Sequence, residues 1–263
     1  MKKTRIDAVL ADRGLFPSRS AAAGAVRAGE VRIGQDGPVA LRPSQLVEPD
    51  ASLIIDEGPR YVSRGGTKLE NALDALGIDV AGRDCLDVGA STGGFTDCLL
   101  QRGAARVIAA DVAYGQLDVR MRHDPRVHVI ERLNAREMQP ADLPFVPSLA
   151  TIDVSFISLS KILPAVARCL EPGGEMLAMV KPQFELGRER VGRGVVRDAA
   201  DRREAILLVA GAAHDLGLHV RGFASSGLPG PKGNRETFVW CGGEGLEVVE
   251  LEAAVTAVVE ADE

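Results

Sequence analysis

The sequence predicts an α/β protein whose mostly parallel sheet is preceded by a small α+β module. Three observations carry that prediction. From about residue 60 onward, strand-like apolar runs alternate with helix-like segments, the pattern of a parallel sheet covered by helices. Gly58-Pro59-Arg60 punctuates the chain and separates that region from a shorter basic segment. The 263 residues are 46% hydrophobic, enough for a substantial core, and no apolar run approaches the roughly 20 residues that span a bilayer.

The N-terminal segment reads as two short helices followed by short strands. Leu10, Leu15, Ala22, Val26 and Val31 supply apolar positions, and Ser18 in Pro17-Ser18-Arg19-Ser20 is placed to cap the second helix. Arg13, Arg19, Arg27 and Arg32 can then cluster on the exposed side, as solvated charges or as a contact for a polyanion. Val31–Ile33 and Ser52–Ile55 read as strands around Gly- and Pro-containing turns. The expected organisation is a module over 1–59, a linker over 60–66 and a larger domain over 67–263. In that domain the expected strands are Asp84–Val88, Arg106–Asp111, Val127–Glu131, Leu149–Val154, Glu175–Val180, His219–Ser225 and Thr237–Cys241. Leu246, Val249, Ala253 and Val259 are spaced for a terminal helix with one face on the body.

Charge has to be read by region. The net charge is −6, but residues 244–263 hold seven acids and no base. Without them the chain has 31 basic and 30 acidic residues, while residues 1–35 hold seven bases against three acids. The basic N-terminus lacks an unbroken apolar stretch of the signal-peptide kind, so a cytoplasmic location and no membrane partner are expected. Cys85, Cys98, Cys169 and Cys241 form no Cys-x-x-Cys pair, which argues against zinc or a disulfide framework; no metal is expected, and the thiols read as small buried hydrophobes.

The strongest local signal is Asp87-Val88-Gly89-Ala90-Ser91-Thr92-Gly93-Gly94-Phe95-Thr96. A strand ends at Val88, small residues follow, and a helix opens near Gly93, so backbone and helix N-terminus can approach a ligand closely. A dinucleotide site would need Gly-x-Gly-x-x-Gly, and Gly89-Ala90-Ser91 does not supply its first pair. An acid at the strand end followed by Gly-x-x-x-Gly is the arrangement of S-adenosylmethionine enzymes. Asp111 ends the next strand, followed by Val112, where a carboxylate can accept both ribose hydroxyls. Asn134, after the third strand, could read the adenine edge.

Three polar residues follow or open later strands, where active sites of open α/β sheets lie: Asp153, Lys181 and Glu236. Lys68 comes from the helix before the first strand. A lysine ending a buried apolar strand must be paired, so a structural Lys–Asp ion pair is the plain alternative to a catalytic one. The set Lys68, Asp153, Lys181, Glu236 resembles the Lys-Asp-Lys-Glu tetrad of FtsJ-type ribose 2′-O-methyltransferases. Ser63-Arg64-Gly65-Gly66-Thr67-Lys68, Asp153-Val154-Ser155-Phe156-Ile157-Ser158-Leu159, Val180-Lys181-Pro182-Gln183-Phe184-Glu185 and Leu228-Pro229-Gly230-Pro231-Lys232-Gly233-Asn234 resemble the TlyA family, an S4-fused, FtsJ-like group historically labelled haemolysins. Arg5-Ile6-Asp7, Gly14-Leu15, Ser18-Arg19 and Gly29-Glu30-Val31-Arg32-Ile33 resemble the S4 RNA-binding module, with Gly34-Gln35-Asp36-Gly37 in place of its usual Asn-Gly turn.

The resemblance implies a Rossmann-like seven-stranded class I methyltransferase domain behind a small α+β S4 RNA-binding domain. It implies 2′-O-methylation of cytidine in 16S and/or 23S rRNA within ribosomal subunits, with S-adenosyl-L-methionine as donor and a monomer as the default state. Lys181 would be the base, or the cation that stabilises the developing alkoxide, with Asp153 orienting it and the donor and Glu236 fixing a lysine or the ribose. Arg5, Arg13, Arg19, Arg27, Arg32 and Arg64 would face RNA. Arg188, Arg190, Arg193 and Arg197, set among glycines, read as a mobile phosphate-gripping loop or a solvated one. Competing readings are an assembly factor that binds RNA without turnover, a small-molecule methyltransferase and a pore-forming haemolysin.

Overall fold

The computed structural model describes residues 3–28, 30–34, 37–55, 60–192, 194–243 and 250–262, with the side chains of Ala28 and Arg188 left aside. The chain divides into two compact units, Met1–Arg60 and Tyr61–Glu263.

In the first unit the elements are β1 (Thr4–Arg5), α1 (Ile6–Asp12), α2 (Arg19–Ala28), β2 (Val31–Ile33), β3 (Leu46–Val47) and β4 (Leu53–Ile55). β1 pairs with β3 and β2 with β4, both antiparallel. Ile6, Val9 and Leu10 on α1 meet Ala22, Ala25 and Val26 on α2 at helical spacing, and Val31 and Val47 close this small core. The turn at Gln35 and Asp36 and the end of the segment at 56–59 lie outside the described residues.

The second unit opens with α3 (Arg64–Leu76). It continues with β5 (Asp84–Val88), α4 (Gly94–Gln101), β6 (Arg106–Asp111), α5 (Val119–His123), β7 (Val127–Glu131), β8 (Leu149–Ile152) and α6 (Leu163–Ala167). Then come β9 (Glu175–Val180), α7 (Pro182–Glu185), α8 (Arg188–Val191), α9 (Ala199–Asp215), β10 (His219–Ser225), β11 (Thr237–Gly242) and α10 (Leu251–Glu260). The seven strands β5 to β11 form one sheet in the order β10-β11-β9-β8-β5-β6-β7. All neighbours from β9 to β7 are parallel, and β11 runs against both β9 and β10. Residues 64–66, read as linker from sequence, form the first turn of α3, because Ser63 caps that helix by accepting from Gly65 N at 3.3 Å.

The strand period of two sorts the apolar residues onto both faces. Leu86, Val88, Ile108, Ile152, Met176 and Val180 pack with α6, α9 and α10 on one face. Cys85, Val107, Leu149, Leu177, Met179 and Phe238 pack with α3 and α4 on the other. Such two-sided burial explains why these strands read as nearly continuous apolar runs. All four cysteines are buried and free, and burial pushes the Cys85 and Cys241 thiols up to about 12.

Candidate active site

The chain leaves β5 in one direction, through β6 to β7, and later returns on its other side through β8. The carboxyl ends of β5 and β8 therefore flank the crevice where open α/β sheets hold ligands. Gly89, just past β5, has φ +86°, and a Cβ there would stand 2.4 Å from the Asp153 carbonyl oxygen. Only glycine lets the two strand ends close this tightly. Asp153 N in turn donates to Val88 O at 2.9 Å.

Three cavities meet at this edge. The first, of about 440 Å³, is lined by Gly89, Asp111, Leu133, Met138, Asp153 and Ile157 among others. Asp111 forms part of its wall, with its carboxylate accepting from Ser91 N and Ala113 N, each at 2.7 Å. The second, of about 240 Å³, brings Lys68, Asp153, Lys181 and Glu236 together with the loop Gly89–Thr92. The third, of about 340 Å³, lies beyond Lys181 and Glu236 and is bounded by Phe156, Gln183, Phe184 and Asn234.

The four tetrad residues form two ion pairs. Lys68 Nζ meets Glu236 Oε2, both buried. Lys181 Nζ lies 2.5 Å from Asp153 Oδ1 and donates to Ser155 Oγ at 3.0 Å. Glu236 arrives from the start of a strand, yet stands at the carboxyl edge because β11 is reversed: Thr237 pairs with Val180, beside Lys181. Burial of these charges is tolerable because each is paired.

Several expected ligand contacts are placed differently. Asp87 and Thr96 do not line the cavities; Thr96 Oγ1 donates to Asp87 Oδ2 at 2.6 Å in the core beneath the loop. Burial raises the Asp87 carboxyl to about 7, against the lowering effect of the Thr96 hydroxyl. Gly93 takes φ +94° as the N-cap of α4, and Gly94 and Phe95 edge the second cavity, where Phe95 also packs on Phe238. Ser91 and Val112 line the first cavity and Thr92 the second. Asn134 lines the first cavity, but its amide is engaged in its own turn, accepting from Arg136 N and donating to Glu137.

Ser155, Phe156, Gln183 and Phe184 were absent from the expected site. Phe156 is 90% exposed with φ +65°, a costly conformation for a bulky residue, and its ring lies 5.1 Å from that of Phe184. Glu185 holds this wall in place, accepting from Ser158 Oγ at 2.6 Å and Leu159 N at 2.9 Å; burial pushes its carboxyl up. Asn234 holds the opposite wall by accepting from Val196 N and donating to Gly194 O.

The arginines divide by environment. Arg190 is bound to Asp201 and Glu204, so 188–191 is a helical turn anchored on α9 rather than a free loop. Its acidic neighbours push its guanidinium further up. Arg5 and Arg19 both pair with buried Asp7, which holds that carboxyl below the usual range. Arg13 donates to the Ala51 and Pro49 carbonyls. Arg27, Arg64 and Arg197 are exposed, and Arg32 is half-buried. Arg193 and the Arg188 side chain lie outside the described residues. Among the described residues no helix is long and apolar enough to cross a membrane, and no group of three or more His, Cys, Asp or Glu side chains could hold a metal ion.

Comparison with known proteins agrees with this geometry. Residues 61–243 match the FtsJ-like methyltransferase family. The 16S/23S rRNA (cytidine-2′-O)-methyltransferase TlyA of Mycobacterium tuberculosis is 49% identical over 242 residues, covering 91% of this chain and 90% of that protein. Hemolysin A of Brachyspira hyodysenteriae is 36% identical, over 88% of this chain and 97% of its own. A solved structure from Streptococcus thermophilus, described as a candidate hemolysin, superposes with a TM-score of 0.75 at 40% identity, covering 99% of this chain and 96% of that one. The protein is a methyltransferase: it belongs to the FtsJ-like family and, within it, to the TlyA group.

Proposed function

We propose that the protein methylates the ribose 2′-hydroxyl of a cytidine in rRNA, within 16S- and/or 23S-containing ribosomal subunits, using S-adenosylmethionine. The observation that carries this reading is the convergence of Lys68, Asp153, Lys181 and Glu236 on one cavity between two others. The M. tuberculosis relative is named for the same reaction.

The first cavity suits the donor. Gly89 leaves its backbone bare, the Asp111 carboxylate is placed for ribose hydroxyls, and Leu133, Met138, Ile157 and Ile162 offer an apolar bed for a base. When bound, the donor supplies an activated methyl on a sulfonium. The third cavity takes the target nucleoside, with Phe156 and Phe184 as its apolar wall, so the ribose comes to lie beside Lys181. As the cation of an ion pair, Lys181 stabilises the negative charge that develops on the 2′-oxygen. Asp153 and Ser155 hold it at that position. Glu236 fixes Lys68, a second cation on the same cavity.

Residues 1–59 act as an S4-like RNA-binding module, and residues 67–263 as the catalytic domain. The exposed Arg27, Arg64 and Arg197 meet phosphates. Action on ribosomal subunits places the protein in the cytoplasm.

The test uses labelled S-adenosylmethionine and unmodified subunits. Wild type should deliver label to rRNA at an alkali-resistant linkage. Lys181→Ala should lower kcat by about a hundredfold or more while still binding the donor. Donor binding without transfer to either subunit would overturn the reading. A lysis assay on wild type and Lys181→Ala separates it from a haemolytic one.

A further inference from the structure

The third cavity has one cation that the tetrad does not claim. Its lining holds two lysines: Lys181, paired with Asp153, and Lys232, in the segment between β10 and β11. Lys232 is exposed and, among the described residues, meets no carboxylate. Its side chain reaches another part of the same wall: a Cβ on Gly194, which also lines the cavity, would stand 3.8 Å from both Cδ and Nζ of Lys232. That placement is built into the chain. Gly230 N donates to Asn234 O and Gly233 N to Gly230 O, each at 2.8 Å, closing residues 230–234 into a turn. A Cβ on Gly230 would stand 2.5 Å from Glu236 Oε1, so the turn packs directly against the tetrad. Buried Asn234 ties the same turn to Gly194 O and Val196 N. The root of Lys232 and the glycine beside its ammonium therefore belong to one frame, fixed against Glu236.

We propose that Lys232 holds the phosphodiester on the 3′ side of the target ribose and so keeps the 2′-oxygen at Lys181, an assignment that rests on the ribose-methylating function above. The 2′-oxygen and the 3′-phosphodiester sit on neighbouring carbons of one ribose. A ribose whose 2′-oxygen reaches Lys181 brings that phosphate into the same cavity, on the side where the strand returns to solvent. Exposed Lys232 stands ready for it. An ammonium suits the contact, being a compact charge that donates to phosphate oxygens without the fixed fork of a guanidinium. Lys68 and Lys181 are poorly placed to serve, since each already answers a carboxylate. Methyl transfer by in-line displacement tolerates little misplacement of the attacking oxygen. A hold on the adjoining phosphate therefore acts on the rate within the docked complex and not on docking alone. Lys232 is a positioning residue.

The experiment uses the full chain, unmodified ribosomal subunits and labelled S-adenosylmethionine, with enzyme in excess. It reads three quantities: donor binding, subunit Kd and the single-turnover rate of the bound complex. Lys232→Ala should bind the donor as wild type does and slow transfer in the bound complex about tenfold. Its subunit Kd should weaken by about threefold or less, because exposed arginines elsewhere also meet phosphates. Lys232→Arg keeps the charge and should return the rate to within about threefold of wild type. Lys232→Ala that transfers at the wild-type rate once bound overturns the assignment, whatever its Kd, since the charge would then serve encounter alone. Failure of Lys232→Arg to restore any of the lost rate overturns it as well. Should Lys232→Ala lose donor binding, Lys232→Gln takes its place under the same criteria. Wild type that delivers no label to either subunit sinks the functional reading on which the assignment rests.

Discussion

Asp87 is fully buried with one oxygen bonded to Thr96 and the other without a partner, and its carboxyl is raised to about 7 from 3.8. Between those values the folded chain holds a proton that the unfolded chain has lost, so stability falls as pH rises from about 4 to 7 and levels off above. At pH 8 the penalty amounts to about 4 kcal/mol. Asp87→Asn keeps an acceptor for Thr96 and removes the charge. Urea unfolding should show the variant gaining on wild type from pH 5 to pH 8, and a constant difference across that range would contradict the burial argument. Asp87 was legible in sequence as an important strand-end acid, but not as one facing inward, because a strand's pattern does not say which side of the following loop closes over it. Asn134 does line the first cavity, and what the sequence did not show is that its amide also bonds its own turn, with Arg136 N and Glu137 as partners. Phe156 lies inside one of the strings that carried the family resemblance, yet nothing in that string singled it out from its neighbours. It stands out through its exposure and its positive φ, neither visible in a string of letters.

At the level of elements, the parallel strands were nearly all legible to the residue, since two-sided burial forces uninterrupted apolar runs with polar ends. The reversal of β11 was not: an antiparallel edge hairpin and another parallel crossover share the same composition. That reversal is what brings Glu236 to Lys68. The meeting of α3 and α4 was also hidden. Their first turns cross through glycine, and a Cβ on Gly94 would stand 2.2 Å from Ser63 Oγ and 2.9 Å from Gly66 N. Gly94→Ala should break the Ser63 cap and push apart the helix that carries Lys68 and the one that follows the loop Gly89–Gly93. We expect a loss of about 1–3 kcal/mol, the cost of overpacking, read as a lower Tm, together with reduced transfer. A stable variant with full activity would show that the crossing has slack.

For the whole molecule, the two-unit division follows from a change in composition and a Gly-Pro break, features readable without coordinates. The C-terminal region was read from its spacing as a helix with one face on the body; of the residues that carried that reading, Leu246 and Val249 lie outside the described residues. Val255 and Val259 are buried against the body, α10 packs on α9 and β10, and Asp262 accepts from Ser225 Oγ. Deleting residues 244–263 should therefore cost about 3 kcal/mol or more, from two lost valine burials and newly exposed core, seen as a lower urea midpoint; an unchanged midpoint would make α10 dispensable. The paired lysines have a consequence of another kind. Each lysine of the tetrad is matched by a carboxylate, so those four side chains carry no net charge together. A polyanion feels little pull from them at a distance, and its capture falls to exposed arginines that dissolved ions screen. Encounter and transfer thus answer to different forces: added salt slows the arrival of the substrate and leaves the turnover of what has already docked nearly untouched.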